Sequence, residues 1–145
     1  MTTVNAYVTF NGNCEEAFEF YKSAFGGEFE VLSRYHEMPE NPDYQIPEHH
    51  KDKVMHVSLP ISDGNVLMGS DSSEAFGEAT DSGNNFSISI NTNSIDKTKE
   101  LFKHLSEGGI VKMPLEKTFW NSYFGMFTDK FGIHWMVNCG LDNEK

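Results

Sequence analysis

The chain has 145 residues, with 22 acidic side chains against 11 basic ones and a formal net charge of -11. That length suits one domain or two small fused modules with a core of their own, and the acidic surplus argues against nonspecific attraction to nucleic acid or an anionic membrane, which select for Lys and Arg. Only two cysteines occur, Cys14 and Cys139; a secreted disulfide framework is denser, so reduced thiols in the cytoplasm are expected, with a bridge between the two left open.

The start has no basic segment followed by an apolar run, and no apolar stretch nears membrane-spanning length, so neither export nor insertion is expected. Residues 4–10 read as a strand with Val4, Ala6, Val8 and Phe10 on one face and Asn5, Tyr7 and Thr9 on the other. Asn11, Gly12 and Asn13 turn the chain, and Asn13 is placed to cap a helix whose first turn holds Glu15 and Glu16, favourable against the helix dipole. Ala17, Phe18, Phe20, Tyr21 and Phe25 recur near helical period, and Gly26-Gly27 ends the helix. Residues 28–35 alternate as a second strand. Residues 36–53 have no period and are punctuated by Pro39, Pro42 and Pro47. A loop that long inside a compact domain is expected to be a lid or a dimer-wrapping contact surface, the alternative being a mobile insertion.

Residues 54–61 form a strand pattern with Met55, Val57, Leu59 and Ile61 on one face and His56, Ser58 and Pro60 on the other. Asp63-Gly64-Asn65 signals a tight turn, and residues 66–70 return as its partner. Residues 72–84 are rich in Ser, Gly and acids and read as a linker. The pattern then restarts. Phe86, Ile88 and Ile90 alternate with Ser87 and Ser89, Asn93 or Ser94 can cap a helix containing Ile95, Leu101, Phe102 and Leu105, and Gly108-Gly109 stops it. A strand at 110–115 precedes a hairpin over 117–139, whose aromatic run at 119–127, reversal at 129–132 and alternating run at 133–139 carry both Trp of the chain.

Glu19-Phe20-Tyr21-Lys22 with Gly26-Gly27 matches Glu100-Leu101-Phe102-Lys103 with Gly108-Gly109 in order and nearly in spacing. Each half is therefore strand, helix and three strands. The expected fold is α+β: two tandem βαβββ modules, residues 1–80 (with the 36–53 loop) and 81–145, forming a curved, mostly antiparallel sheet around a concave pocket, helices on the outer face. Phe18, Phe20, Phe102, Ile133 and Trp135 have core periodicity.

Two ordered motifs carry a family resemblance. Phe10-Asn11-Gly12-Asn13-Cys14-Glu15-Glu16-Ala17 leads to Phe20-Tyr21-Lys22 and Phe25-Gly26-Gly27; later come Thr118-Phe119-Trp120, Gly125, and Thr128-Asp129-Lys130-Phe131-Gly132-Ile133 with Trp135. Over nearly its whole length the chain resembles PhnB-like proteins of the vicinal oxygen chelate superfamily, which includes glyoxalase I, bleomycin-resistance proteins and extradiol dioxygenases. The resemblance implies the paired βαβββ arrangement, often as a homodimer. In metal-dependent members of that superfamily, His and Glu from the first, fourth, fifth and eighth strands hold one divalent ion. The matching places here are Ala6, Met68, Asn85 or Ser87, and Met136; a two-residue register change offers Val4 or Val8, Val66 or Ser70, and His134 or Asn138. Of these only His134 is a good ligand, so the Lewis acid of a glyoxalase-type isomerisation or an extradiol oxygenation is not expected, nor any other cofactor.

Among the six histidines, His49 and His50 read as solvated loop residues and His104 takes no role. His36 ends a strand at the mouth of the loop. His56 and His134 lie opposite their apolar strand neighbours and so face the expected concavity, either as hydrogen-bonded wall residues or as a polar anchor or general base for a ligand. Expected beside them in a ligand pocket are Ser58, Met68, Ser70, Ser87, Trp120, Tyr123 and Met136, an aromatic and thioether wall with few polar groups. There is no phosphate loop, dinucleotide fingerprint, paired Cys-x-x-Cys or nucleophile elbow, and methyl transfer from a sulfonium donor would call for a larger nucleotide-binding domain. The resulting expectation is a metal-free binder of an unknown small molecule, resembling the bleomycin-resistance branch. The alternatives are a metal-dependent lyase, isomerase or dioxygenase-type enzyme using a displaced site around His56 and His134, and a dimerisation module with a vestigial pocket.

Overall fold

The structure, a computed structural model, describes residues 2–43, 45–62, 64–73 and 80–141. The chain is α+β and builds two βαβββ modules in tandem, dividing after Asp81. The turn residue Asp63 and residues 74–79 of the expected linker lie outside the described residues.

In the first module the elements run β1 (Tyr7–Phe10), α1 (Cys14–Phe25), β2 (Val31–Arg34), β3 (Val54–Ser62) and β4 (Asn65–Asp71). The sheet order is β1-β4-β3-β2, with β1 parallel to β4 and the other pairs antiparallel. Helix α1 lies over the face that presents Val8, Phe10, Val57, Leu59 and Leu67, and buries Ala17, Phe18 and Tyr21 against it. Gly69 sits at the closest approach: a Cβ there would lie 2.6 Å from Phe18 Cε1 and 2.7 Å from the Val8 carbonyl oxygen. The first strand is shorter than residues 4–10 because Val4 is 90% exposed and has nothing to pack on. On β3 the buried set is Val54, Val57 and Leu59, not Met55, Val57, Leu59 and Ile61. A register shift opposite Ser33/Arg34 inserts a residue and turns Val54 inward in place of Met55.

The buried carboxylate of Asp71 closes this module. Its Oδ1 accepts from the backbone N–H groups of Gly12 (3.0 Å) and Cys14 (2.9 Å), and its Oδ2 from Val54 N–H (3.0 Å). Asn13 holds the N-cap position but its side chain makes no cap bond, so a residue from β4 does the capping instead. The 35–53 excursion has a narrow neck: Tyr35 N–H donates to Lys53 O at 3.1 Å and His36 N–H to Lys51 O at 3.0 Å. It contains single 3-10 turns at Tyr35–Glu37 and Glu48–His50. Tyr35 O–H donates to the Asp71 carbonyl at 2.6 Å, and His50 Nε2 bonds the Ser72 carbonyl. His50, expected in solvent, is therefore part of the anchor that holds the excursion to the end of β4.

The second module repeats the connectivity with β5 (Ile88–Thr92), α2 (Ile95–Ser106), β6 (Ile110–Lys117), β7 (Ser122–Thr128) and β8 (His134–Gly140), in sheet order β5-β8-β7-β6. Helix α2 buries Thr98, Leu101 and Leu105 over Phe127, Trp135, Val137 and Cys139. Here the cap is local: Ser94 Oγ accepts from Lys97 N–H at 3.2 Å, and Thr98 O–H donates to Ser94 O at 2.8 Å. The β7–β8 turn is pinned by Asp129, whose Oδ1 accepts from Phe131 N–H (2.8 Å) and Ile133 N–H (3.0 Å) and whose Oδ2 accepts from Trp135 Nε1–H (2.8 Å). The strand begins at Ile88, leaving Ser87 before it and Phe86 66% exposed. The aromatic run is likewise only partly strand, since a turn linked by Asn121 N–H to Thr118 O at 3.3 Å precedes β7. Asn121 adopts φ 62 there, a conformation Asn tolerates better than most residues. Phe20, Phe102 and Ile133 are half-buried, whereas Phe18 and Trp135 are core.

Candidate functional site

Strand alternation gives each sheet one face under its helix and one face free of it. In module one the helix-free face follows from pairing: Tyr7 pairs with Met68 and Met68 with Ser58, while Ser33 pairs with His56. Ser70, two residues from Met68, shares that face. Tyr7 extends across β4 to His56. Its hydroxyl lies 3.4 Å from His56 Nδ1, and the two rings stack with centroids 5.8 Å apart and planes 27° apart. His56 Nε2 has no hydrogen-bond partner among the described residues, and Tyr7 is 48% exposed. Ser58 is buried, and Met68 and Ser70 are half-buried.

Tyr7 is the residue the family positions missed. Ala6, the place the resemblance assigned on the first strand, alternates with Tyr7 and shares the side of the buried Val8. The side chain that stands beside Met68 is a phenol, not a methyl group.

In module two the helix-free face carries Phe124, Met126 and Thr128 from β7 and their partners Asn138, Met136 and His134 from β8, with Ser89 of β5 beside Met136. Both ring nitrogens of His134 are engaged. Nε2 lies 2.7 Å from the Gly83 carbonyl oxygen, which can only accept, so Nε2 carries the proton; Nδ1 then accepts from the Thr128 hydroxyl at 2.8 Å. Tyr123 lies on the α2 side, paired with Cys139 and with Lys99 Nζ 5.8 Å from its ring centroid, so it does not share the face of His134 and Met136. Trp120 sits in the β6–β7 turn, 49% exposed, packed on Phe119 at 4.9 Å and Phe124 at 5.6 Å between centroids. Thus His56, Ser58, Met68 and Ser70 come together on one face, His134 and Met136 on another with Trp120 at its end, while Ser87 precedes β5 half-buried.

The donors on these faces do not fit the divalent ion of the wider fold. Where oxygen and imidazole ligands are needed, module one offers the Met68 thioether beside a phenol and one imidazole, and module two the Met136 thioether and an imidazole whose nitrogens are both engaged. Among the described residues no three His, Cys, Asp or Glu side chains are grouped so as to hold a metal. Asp71 is spent on three backbone N–H groups. Cys14, free and fully buried next to it, has its thiol pKa pushed far up by burial, with the charges of Asp71 and Glu15 adding to the effect. It stays protonated and is no nucleophile. The 35–53 excursion shapes a cleft of about 550 Å³ lined by Tyr35, His36, Met38, Ile46 and Lys51 among others.

No helix among the described residues is long and apolar enough to cross a membrane. A family model described as 3-demethylubiquinone-9 3-methyltransferase matches residues 2–138. Protein YjdN of Escherichia coli is 29% identical over 144 residues, covering 93% of each chain. The crystal structure of PA1353 from Pseudomonas aeruginosa is 41% identical, covers 97% of this chain and 98% of its own, and superposes with a TM-score of 0.84. A PhnB protein from Bacillus cereus is 24% identical, with 96% and 100% coverage and a TM-score of 0.72. Similar folds recur in glyoxalase/bleomycin resistance/dioxygenase proteins at lower identity. With two βαβββ modules and a family match along nearly all of its length, the chain belongs to the PhnB-like family that this model describes and shares the fold of the glyoxalase/bleomycin resistance/dioxygenase proteins.

Proposed function

We propose that the protein binds a small organic molecule on its helix-free sheet surface without the divalent metal of the wider superfamily. The observation that carries this reading is the replacement of chelating side chains by soft and aromatic ones: Met68 flanked by Tyr7 and Ser58, and Met136 flanked by Met126 and Ser89. Thioethers and rings adapt to planar or apolar ligands, while a few hydroxyls and an imidazole set orientation. The test is a thermal-shift screen of the purified protein against a library of planar organic compounds, with elemental analysis of the same sample. Stabilisation by ligand together with substoichiometric metal supports the reading. A silent library, or one tightly held divalent ion per chain, would overturn it.

A metal-dependent enzyme with a displaced site around His56 and His134 is the second reading. Against it weighs His134, whose two nitrogens are both committed to Thr128 and Gly83, leaving no lone pair for an ion. A divalent ion that is retained by the native protein and lost in His56→Ala would favour it. The 35–53 excursion, with its exposed polar tip and anchored neck, suits an arm across a second copy in a homodimer as well as it suits a lid. Deleting the tip and measuring mass in solution separates the two: an arm gives monomer, a lid leaves mass unchanged and alters ligand affinity.

A further inference from the structure

The two histidines on these faces differ in what their hydrogen bonds leave open, and the difference specifies a ligand. His134 has no hydrogen-bonding capacity left, since Gly83 and Thr128 take both nitrogens. His56 has only the Tyr7 hydroxyl at Nδ1, and its Nε2 is uncommitted among the described residues. A phenol can share this contact in either direction; with the Tyr7 hydroxyl as donor, Nδ1 is the accepting nitrogen and the ring proton sits on Nε2. His56 then presents an N–H donor beside a stacked phenol ring, with the Met68 thioether and the Ser70 hydroxyl on the same face.

We infer that the Tyr7–His56 pair is a recognition element for a planar aromatic compound bearing a carbonyl oxygen, held by a hydrogen bond from His56 Nε2–H while the ring lies along Tyr7 and Met68. The inference rests on the small-molecule reading above and narrows it to one face and one chemical class. Tyr7 acts through His56 as a positioning residue: it fixes the tautomer and, being 48% exposed, offers its ring as a platform. No proton is transferred. A neutral acceptor suits the site better than a carboxylate, because the chain carries a net charge of -11 and no Lys or Arg among the described residues is paired with His56 or Tyr7.

The experiment compares two probes of nearly equal shape, indole-3-carboxaldehyde and 3-methylindole, by calorimetry and by long-range proton–nitrogen NMR of the imidazoles. The expected result is an Nε2–H tautomer for His56 in the free protein, and about tenfold tighter binding of the aldehyde, the size of one neutral hydrogen bond. That preference should disappear in His56→Ala, recover in part in His56→Gln, which keeps an N–H donor, and survive in His134→Ala. Tyr7→Phe should keep 3-methylindole binding but lower the aldehyde preference by a few fold and change the His56 nitrogen shifts. An Nδ1–H tautomer, equal binding of the two indoles, or a preference untouched by His56→Ala overturns the inference. If both indoles bind equally, or neither binds while the compound library still stabilises the protein, the carbonyl recognition fails and the binding reading stands. If the library is silent as well, both fail.

Discussion

Both modules have the same five elements in the same order, yet they hold the start of their helix by different means. Module two uses its own neighbourhood: within the first turn the Ser94 hydroxyl accepts from Lys97 N–H, and the Thr98 hydroxyl donates back to the Ser94 carbonyl. Module one reaches across the chain to Asp71, 57 residues from Cys14 and 59 from Gly12. The same carboxylate takes Val54 N–H at the start of β3, and the same residue's carbonyl takes the Tyr35 hydroxyl at the entry to the excursion. A single buried acid thus ties helix, sheet and excursion together where module two needs only local hydroxyls. The physical reason lies in the connections. The β6–β7 link is a short turn, but β2 and β3 are joined by the 35–53 excursion, whose closure entropy and exposed backbone require a fixed point at its base.

The largest expected effect follows from removing that point. Asp71→Ala strands two buried N–H groups, those of Cys14 and Val54, and the part-buried one of Gly12; at about 1–3 kcal/mol for each unsatisfied group the loss is expected to reach about 3 kcal/mol, against about 1 kcal/mol for Ser94→Ala. Urea unfolding measures both. Equal losses would erase the distinction between the modules. Thiol labelling sharpens it, because Cys14 and Cys139 are both buried and sit in different modules. Asp71→Ala should accelerate labelling of Cys14 much more than that of Cys139, reporting the opening of module one.

How far the sequence reveals this arrangement depends on the range of the interaction. Helix position, paired glycines and the module repeat are local, periodic signals, and they are readable. The same 81-residue offset that aligns Glu19-Phe20-Tyr21-Lys22 with Glu100-Leu101-Phe102-Lys103 also aligns the starts of α1 and α2, at Cys14 and Ile95. The role of Asp71 is not local: nothing near it in sequence marks it as the cap of a helix, and Asn13, a good cap by type, leaves its side chain unused. Tyr7 is a different case, since strand alternation already sets it opposite Val8 and Phe10; only the position carried over from the resemblance pointed to Ala6. Tyr123 was equally readable, sharing parity with Gly125 and Phe127, whose place beneath α2 follows from the 2.7 Å that would separate a Gly125 Cβ from Phe102 Cε2. The turn that displaces Trp120 from β7 depends on Asn121 at φ 62, which an aromatic-rich run conceals.

Those two glycine contacts give the next effects in size. Gly69→Ala drives a methyl into the fully buried Phe18 and the Val8 carbonyl, neither of which can yield, so about 3 kcal/mol is expected. Gly125→Ala meets Phe102, which is half-buried and able to swing outward, and the Leu115 backbone Cα at 3.1 Å, which must give only slightly, so about 1–2 kcal/mol is expected. Thermal unfolding distinguishes them. The opposite ranking would mean that α1, not α2, is the helix free to shift on its sheet. Tyr35→Phe removes the hydroxyl that donates to Asp71 O, and about 1 kcal/mol is expected, with faster proteolysis confined to the excursion.

The smallest effect concerns the ion pair that joins α1 to β2. Arg34 Nη2 lies 2.8 Å from Glu15 Oε2, and its Nη1 also donates to Glu15 Oε1 at 3.0 Å and to Asp52 O at 3.0 Å. This guanidinium therefore links helix, edge strand and the far end of the excursion. The hydrogen bond from Arg34 holds the Glu15 carboxyl below its ordinary value of 4.5. A carboxyl whose folded-state pKa is lowered contributes stability above its unfolded pKa and loses it as pH falls through the folded value. The contribution is thus complete at neutral pH and fades only below about 4.5. With the Glu15 side chain 48% exposed, solvent screening limits it to about 0.5 kcal/mol. Denaturant midpoints of the native protein and Glu15→Gln should accordingly differ slightly at pH 7, less in molar salt, and converge as pH falls through the lowered folded-state value. The double variant Glu15→Gln, Arg34→Met separates the charge pair from the tether to Asp52. If Arg34→Met costs no more than Glu15→Gln, the guanidinium's link to Asp52 carries no energy and the excursion is held by its other anchors, Tyr35 and His50 at the end of β4.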